Sequence, residues 1–172
     1  EAAILAAKED RQFLCQKDIQ KAFIKVGIGT EKHSRVISEK EKKITAYHEA
    51  GHATLSWLLE HANPLVKVTI VPRGKALGAA WYLPEERQIT TREQLLDEMC
   101  ATLGGRAAEE LFLGKISTGA SNDLERVTKQ AYAMVVYFGM SNRLPNLNYY
   151  DSSGQDWGFT KPYSEETARM ID

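Results

Sequence analysis

Apolar and polar positions alternate along this chain with two periods, and each change of period marks a new element. Residues 1–28 carry two short helical patterns, the second starting near Asp18 with Ile19, Ala22, Phe23 and Val26 on one stripe and ending at Gly27 and Gly29. The polar, aperiodic GTEKHSRVIS that follows reads as a linker. Ser38 then opens a long helix, with Glu41 three residues on to complete a capping box. Its apolar stripe runs through Leu55, Leu58 and Leu59, and the ANP triplet after His61 ends it, since proline cannot continue a helix.

The period then switches to two. LVKVTIVPRG and ALGAAWYLP are alternating and partly β-branched, which predicts a strand pair turning near Arg73–Lys75. Thr90 or Thr91 opens another helix that runs to Gly114, and a further one starts between Ala120 and Asp123 and runs to Gly139. A loop-like stretch leads to a last helix opened by Ser164. There is no internal repeat and no low-complexity tract. The expected fold class is mainly α with a small β-sheet.

Composition narrows the function little. Among 172 residues 43% are apolar and 26% charged, as in an ordinary globular domain, and the net charge of −1 gives no reason to expect a nucleic-acid partner. The two cysteines, Cys15 and Cys100, stand apart, so neither a disulfide framework nor a cysteine-rich zinc site is expected, and a reducing compartment fits. No apolar run nears the ~18 residues that cross a bilayer. EAAILAAKED reads as mid-helix without a cap, and SEETARMID begins a helix and stops, so both ends are expected to be cuts within a longer protein.

The chemistry concentrates in AYHEAGHATL, residues 46–55. Residues four apart share one helical face, so His48 and His52 can turn their imidazoles to one ion, with Glu49 beside them. This H-E-x-x-H spacing is that of a catalytic zinc helix: two neutral nitrogen ligands, an open position for water, and a carboxylate to move its proton. The alternative is two histidines on an amphipathic helix, binding either no metal or a structural one in a non-catalytic oligomerisation module.

A third ligand is required. Leu58 occupies the position where one zincin pattern has a histidine, His61 is off the spacing, and His33 lies in the polar linker. Glu109 and Glu110 on the GGRAAEEL helix are candidates, and so is Asp123 near a helix N-terminus, where the helix dipole favours an ionised carboxylate. The residues alone leave this choice open.

Four motifs in order, AYHEAGH, VKVTIVPRG, LGGRAAEELFLG and STGASNDLERVTKQA, give a chain that resembles the FtsH family of membrane-anchored, ATP-dependent zinc proteases. The resemblance implies a zincin-like helical metalloprotease domain over residues 31–172, with residues 1–30 as the C-terminal tail of an AAA ATPase lid. It implies one Zn2+ per chain, held by His48, His52 and Asp123, with Glu49 as general base, and leaves Glu109 and Glu110 as structural neighbours. It also implies degradation of unfolded or damaged proteins, membrane proteins included, by a homo-hexamer whose upstream module uses ATP. No phosphate-binding loop occurs here, so ATP and the membrane anchor would belong to segments upstream of Glu1. The location implied is the cytoplasmic side of a bacterial inner or plasma membrane, or a mitochondrial or chloroplast membrane.

Two further expectations come from the residues themselves. Gly104 and Gly105 each cost a helix about 1 kcal/mol relative to alanine, which suggests a close backbone approach, here to the Ala50–Gly51 face of the histidine helix. The strand around Leu77, Gly78, Ala79, Ala80 and Trp81 could bind an extended substrate by adding a strand to a sheet edge.

Overall fold

Ser38 and Thr91 each accept a hydrogen bond from the backbone amide three residues on, while the side chains of Glu41 and Gln94 reach back to the two cap amides. These reciprocal bonds satisfy N–H groups that a helix start otherwise leaves bare, and they set where the two longest helices begin. The computed structural model describes residues 1–28, 37–72, 77–83, 86, 88–149 and 163–172. These form α1 (Ala2–Lys8), α2 (Gln16–Ile28), α3 (Glu39–Leu58), β1 (Leu65–Thr69), β2 (Ala79–Tyr82), α4 (Arg92–Ala108), α5 (Ser121–Val136) and α6 (Glu165–Ile171). The fold is mainly helical with one small sheet, as the pattern predicts. Most of the expected linker, with His33 in it, the whole Arg73–Lys75 turn and Tyr150 lie outside the described residues.

Helices α3 and α4 run antiparallel and form the centre. Rising positions on α3 meet falling positions on α4: His48 lies against Gly105, Gly51 against Gly104 and His52 against Ala101, and beyond the end of α3 the His61 amide donates to Asp97 Oδ2 at 3.0 Å. The contact is backbone to backbone. A Cβ on Gly51 would sit 2.1 Å from the Gly104 carbonyl oxygen and 2.7 Å from the Ala108 methyl. The close approach inferred from the glycines is therefore present, but through Gly51 alone, since Ala50 is exposed.

The buried stripe of α3 is polar: Thr45, His48, Glu49, His52 and Ser56. The leucine stripe is not the buried face, for Leu58 is 71% exposed beside a still more open Trp57. The helix also stops earlier than the proline implies. Leu59 is already extended, because the following segment is tied to α4 by Asp97 on the His61 amide and by Asn63 on Glu98.

After Ala108 the α4 helix widens into a π-helical turn, Glu109–Leu113, closed by Gly114 in the left-handed region at φ 61°. A 3₁₀ turn, Thr118–Ala120, leads into α5. Strands β1 and β2 pair antiparallel, Thr69 opposite Ala79 and Val68 opposite Ala80, with a bulge between Leu65 and Lys67. Met134, Val136 and Leu144 bury the apolar end of α5.

The turn between α1 and α2 is tied to α2 by an ion pair, and most of the expected apolar stripe of α2 is open. Ala22 is buried, but Ile19, Phe23 and Val26 are 49%, 67% and 75% exposed. Asp18 is 1% exposed and takes both nitrogens of Arg11 at 2.6 Å, plus the Cys15 amide at 2.9 Å. The Arg11 bond, reinforced by Cys15, holds the Asp18 carboxyl well below the usual carboxylate range. A depressed native pKa contributes stability above the unfolded pKa of about 3.9 that is lost as pH falls through the native value. Asp18→Asn should therefore lower the melting temperature at pH 7. The gap to the unsubstituted chain should narrow below about pH 4, as thermal unfolding across pH will show.

Candidate metal centre

The polar stripe of α3 faces the start of α5, and three side chains meet there. His48 Nε2 lies 3.3 Å from Asp123 Oδ2, His52 Nε2 lies 3.5 Å from the same oxygen, and the two Nε2 atoms are 3.0 Å apart. Asp123 sits in the first turn of α5, where the 3₁₀ turn ahead of it aims the carboxylate back at α3.

The outer nitrogens fix the tautomers. His52 Nδ1 bonds the Ala101 carbonyl oxygen at 2.9 Å, which can only accept, and His48 Nδ1 bonds Glu109 Oε1 at 2.8 Å. Both Nδ1 atoms are therefore donors. In the neutral rings each Nε2 then turns a lone pair toward its partner and toward the Asp123 oxygen. Three electron-pair donors converging without a hydrogen between them call for a cation. Ligand atoms around a tetrahedral zinc at 2.0–2.1 Å stand about 3.3 Å apart, and these separations fit that spacing. Among the described residues the converging set is these three.

Without a metal the same carboxylates favour a proton on His48, which a bound cation would displace. Burial pulls the His48 pKa down, but bonds to Asp123 and Glu109 outweigh it and leave the pKa raised. Burial pushes Asp123 up, yet the two imidazoles hold it well below the usual carboxylate range. Glu109 is 1% exposed and still ionised in preference, because the Ser117 amide at 2.7 Å, His48 and the Ser117 hydroxyl outweigh its desolvation. Glu109 is thus the anchor of a candidate ligand, in the place where a carboxylate behind a metal-bound histidine commonly stands. Glu110 is exposed and takes no part.

Glu49 lies outside the converging set, buried at 7% exposure. Burial raises its pKa, opposed by His52 and His48. Gly78, at the lead-in to β2, rests on it: a Cβ there would be 2.7 Å from Glu49 Oε1 and 2.7 Å from the Thr45 methyl. A groove of about 880 Å³ passes over the cluster, lined on the sheet side by Leu77, Gly78, Ala79, Ala80 and Tyr82. Trp81 has its ring against Phe23, with centroids 5.8 Å apart, because alternate residues of a strand face opposite ways.

The model of peptidase family M41 matches residues 35–172. The chain is 78% identical over its whole length to an ATP-dependent zinc metalloprotease FtsH of Parabacteroides distasonis, and 54% identical over 175 aligned residues to one of Rhodothermus marinus. It is 51% identical over 172 residues to the mouse mitochondrial inner membrane m-AAA protease component AFG3L2. The chain belongs to peptidase family M41. It covers all of its own length but about a quarter of each FtsH relative, 25%, and 21% of the mouse protein. The family resemblance read from four motifs is upheld; the two FtsH relatives are named zinc metalloproteases and the mouse relative a protease component.

Within this M41 chain, the sequence did not show how the cluster is held. Glu109, Ser117 and the Ala101 carbonyl orient the histidines, and Gly105 makes room for one of them. A Cβ at Gly105 would lie 2.5 Å from His48 Cε1 and Nε2. Gly105→Leu should therefore destabilise by on the order of 3 kcal/mol or more by overpacking. For a chain of this size the melting temperature should fall by roughly 10 °C, with metal binding lost as well. An unchanged thermal melt would show that the contact yields easily.

Proposed function

We propose that this chain is the peptide-cleaving part of a longer ATP-dependent protease, a zinc-dependent endopeptidase acting on unfolded polypeptides. The observation that carries this is the meeting of His48 Nε2, His52 Nε2 and Asp123 Oδ2, with Glu49 one residue from a ligand and facing the groove. His48, His52 and Asp123 are the ligands, and Glu49 is the general base. A zinc ion bound there supplies a Lewis acid that polarises the scissile carbonyl and acidifies water.

The remaining chemistry belongs to the chain. Glu49 accepts a proton from the attacking water as the C–O bond forms, then delivers it to the amide nitrogen as the C–N bond breaks. Its raised pKa brings the carboxylate closer to neutrality, which suits a group that must both take and return a proton. Leu77–Ala80 offer a strand edge that extended substrate can join by backbone hydrogen bonds, a mode nearly blind to sequence. A structural metal would need a fourth protein ligand, and the three donors among the described residues leave a position for substrate.

Residues 1–30 are the tail of an AAA module, residues 31–172 the peptidase, and the full protein is a membrane-anchored homo-hexamer fed by ATP hydrolysis upstream. Its peptidase faces the cytoplasm in a bacterium, or the equivalent side of an organelle membrane. Among the described residues no helix is long and apolar enough to cross a membrane, so any membrane contact falls to other segments.

Glu49→Gln should retain zinc and the fold while casein cleavage drops roughly 10²–10⁴-fold. Asp123→Ala should lose most of the bound zinc, measured as metal per chain after dialysis. Retained cleavage in the first, or full metal in the second, removes the residue from its role. Proline at Ala79 should weaken peptide cleavage in the folded protein by denying the substrate a strand partner, and an unchanged rate would remove the edge from substrate binding.

A further inference from the structure

The groove has two unlike ends. Toward the start of α3 it is walled by Glu41, Ile44 and Thr45, and beyond His52 it opens into a recess walled by Ser56, Asn63, Tyr82, Glu98, Thr102 and Arg126. None of these six enters the mechanism above. Glu98 stands one turn of α4 before Ala101, whose carbonyl holds the His52 ring, and so about 5 Å from it along the helix axis. Same-side side chains of an extended peptide are roughly 6.6 Å apart, so a residue near the scissile bond can reach into this recess.

Glu98 is half-buried and held by neutral amides, Asn63 Nδ2 on Oε1 at 3.3 Å and Gln130 Nε2 on Oε2 at 3.3 Å. Amides orient a carboxylate without cancelling its charge, and among the described residues no Lys, Arg or His forms an ion pair with it. Arg126 on α5 brings a competing positive charge, but it is exposed. At equal distance a charge at an effective dielectric of about 20 acts roughly four times as strongly as one in water at about 80. Of these two described charges the more sheltered Glu98 carboxylate therefore counts for more at equal distance.

Resting on the endopeptidase reading, we infer that this recess is a side-chain subsite for a cationic substrate residue, with Glu98 as its specificity-determining residue. A lysine ammonium has three hydrogens to place. Glu98 takes one, and the Asn63 carbonyl oxygen and the Ser56 and Tyr82 hydroxyls line the recess as further acceptors.

The test uses peptides that differ only in carrying Lys, Gln or Glu at one position near the scissile bond, each position scanned in turn. Affinity is measured on zinc-loaded Glu49→Gln chain, and kcat/KM on the zinc-loaded unsubstituted chain, at low and high salt. At one position Lys should exceed Gln by about tenfold in both assays, and the ratio should shrink in high salt. Glu98→Gln should bring the ratio near one, Arg126→Gln should raise it, and Thr102→Lys, which places an ammonium in the recess, should abolish it independently. No lysine preference at any position, or a preference that survives both Glu98→Gln and Thr102→Lys, overturns the assignment. Lysine-selective binding without cleavage would sink the hydrolytic reading and leave the subsite standing. Cleavage with a ratio indifferent to Glu98 would do the reverse.

Discussion

Glu109 holds an ionised carboxylate at 1% exposure, where desolvation alone costs several kcal/mol. It persists there because its oxygens are filled from two other segments. His48 of α3 donates from Nδ1, and Ser117, in the loop that leads to α5, donates from its amide and its hydroxyl. One carboxylate at the end of α4 thus fixes the ring of a candidate ligand on α3. It also fixes the approach to the helix carrying Asp123, six residues beyond Ser117. The cluster is a meeting of three segments, and Glu109 is where they are tied. The widening of the helix begins at this residue, which is where a change of helical pitch can redirect a side chain.

The same constraint explains the face that α3 turns inward. Two imidazoles and a carboxylate occupy the buried stripe, so leucines cannot, and the helix must be held by something other than an apolar seam. What holds it is backbone proximity. Gly51, Gly104, Gly105, Ala101 and Ala108 let α3 and α4 approach until carbonyls and imidazoles fill the gap, so dispersion contacts are gained from main chain rather than long side chains. The glycines cost helix propensity, and the site returns that cost as fixed geometry. Such local conflicts between propensity and structure are expected at functional sites.

This is also why the sequence could be read only in part. Ser38, Thr91 and Ser164 announce their helices, because capping depends on residues within one turn. His48 and His52 declare a shared face by spacing alone. The choice between Asp123 and Glu109 was not local, since both are carboxylates on helices near the cluster. What separates them is that Glu109 meets the Nδ1 side of His48 while Asp123 meets the Nε2 side. The stripe of Ile19, Phe23 and Val26 misled for a related reason: helical period shows that residues share a face, not that the face is covered. The partner of Asp18 was equally hidden, seven residues back at Arg11 across a bend between helices.

A helix advances about 100° per residue, and this angle sets the division of labour in the groove. His48 and His52, four apart, point toward α4 and α5, where the backbone carbonyl of Ala101 and the carboxylate of Glu109 wait behind them. Glu49, one residue on, must point elsewhere, and it meets Gly78 at the mouth of the strand. The candidate ligands and the candidate base therefore stand on adjoining walls, with the strand edge forming the side along which an extended chain can lie. A base four residues from a ligand would share the metal's face and become another ligand. Adjacent in sequence to a candidate ligand, Glu49 is turned too far to join the converging set, and this is the arrangement that the proposed chemistry would require of a base beside a metal ligand.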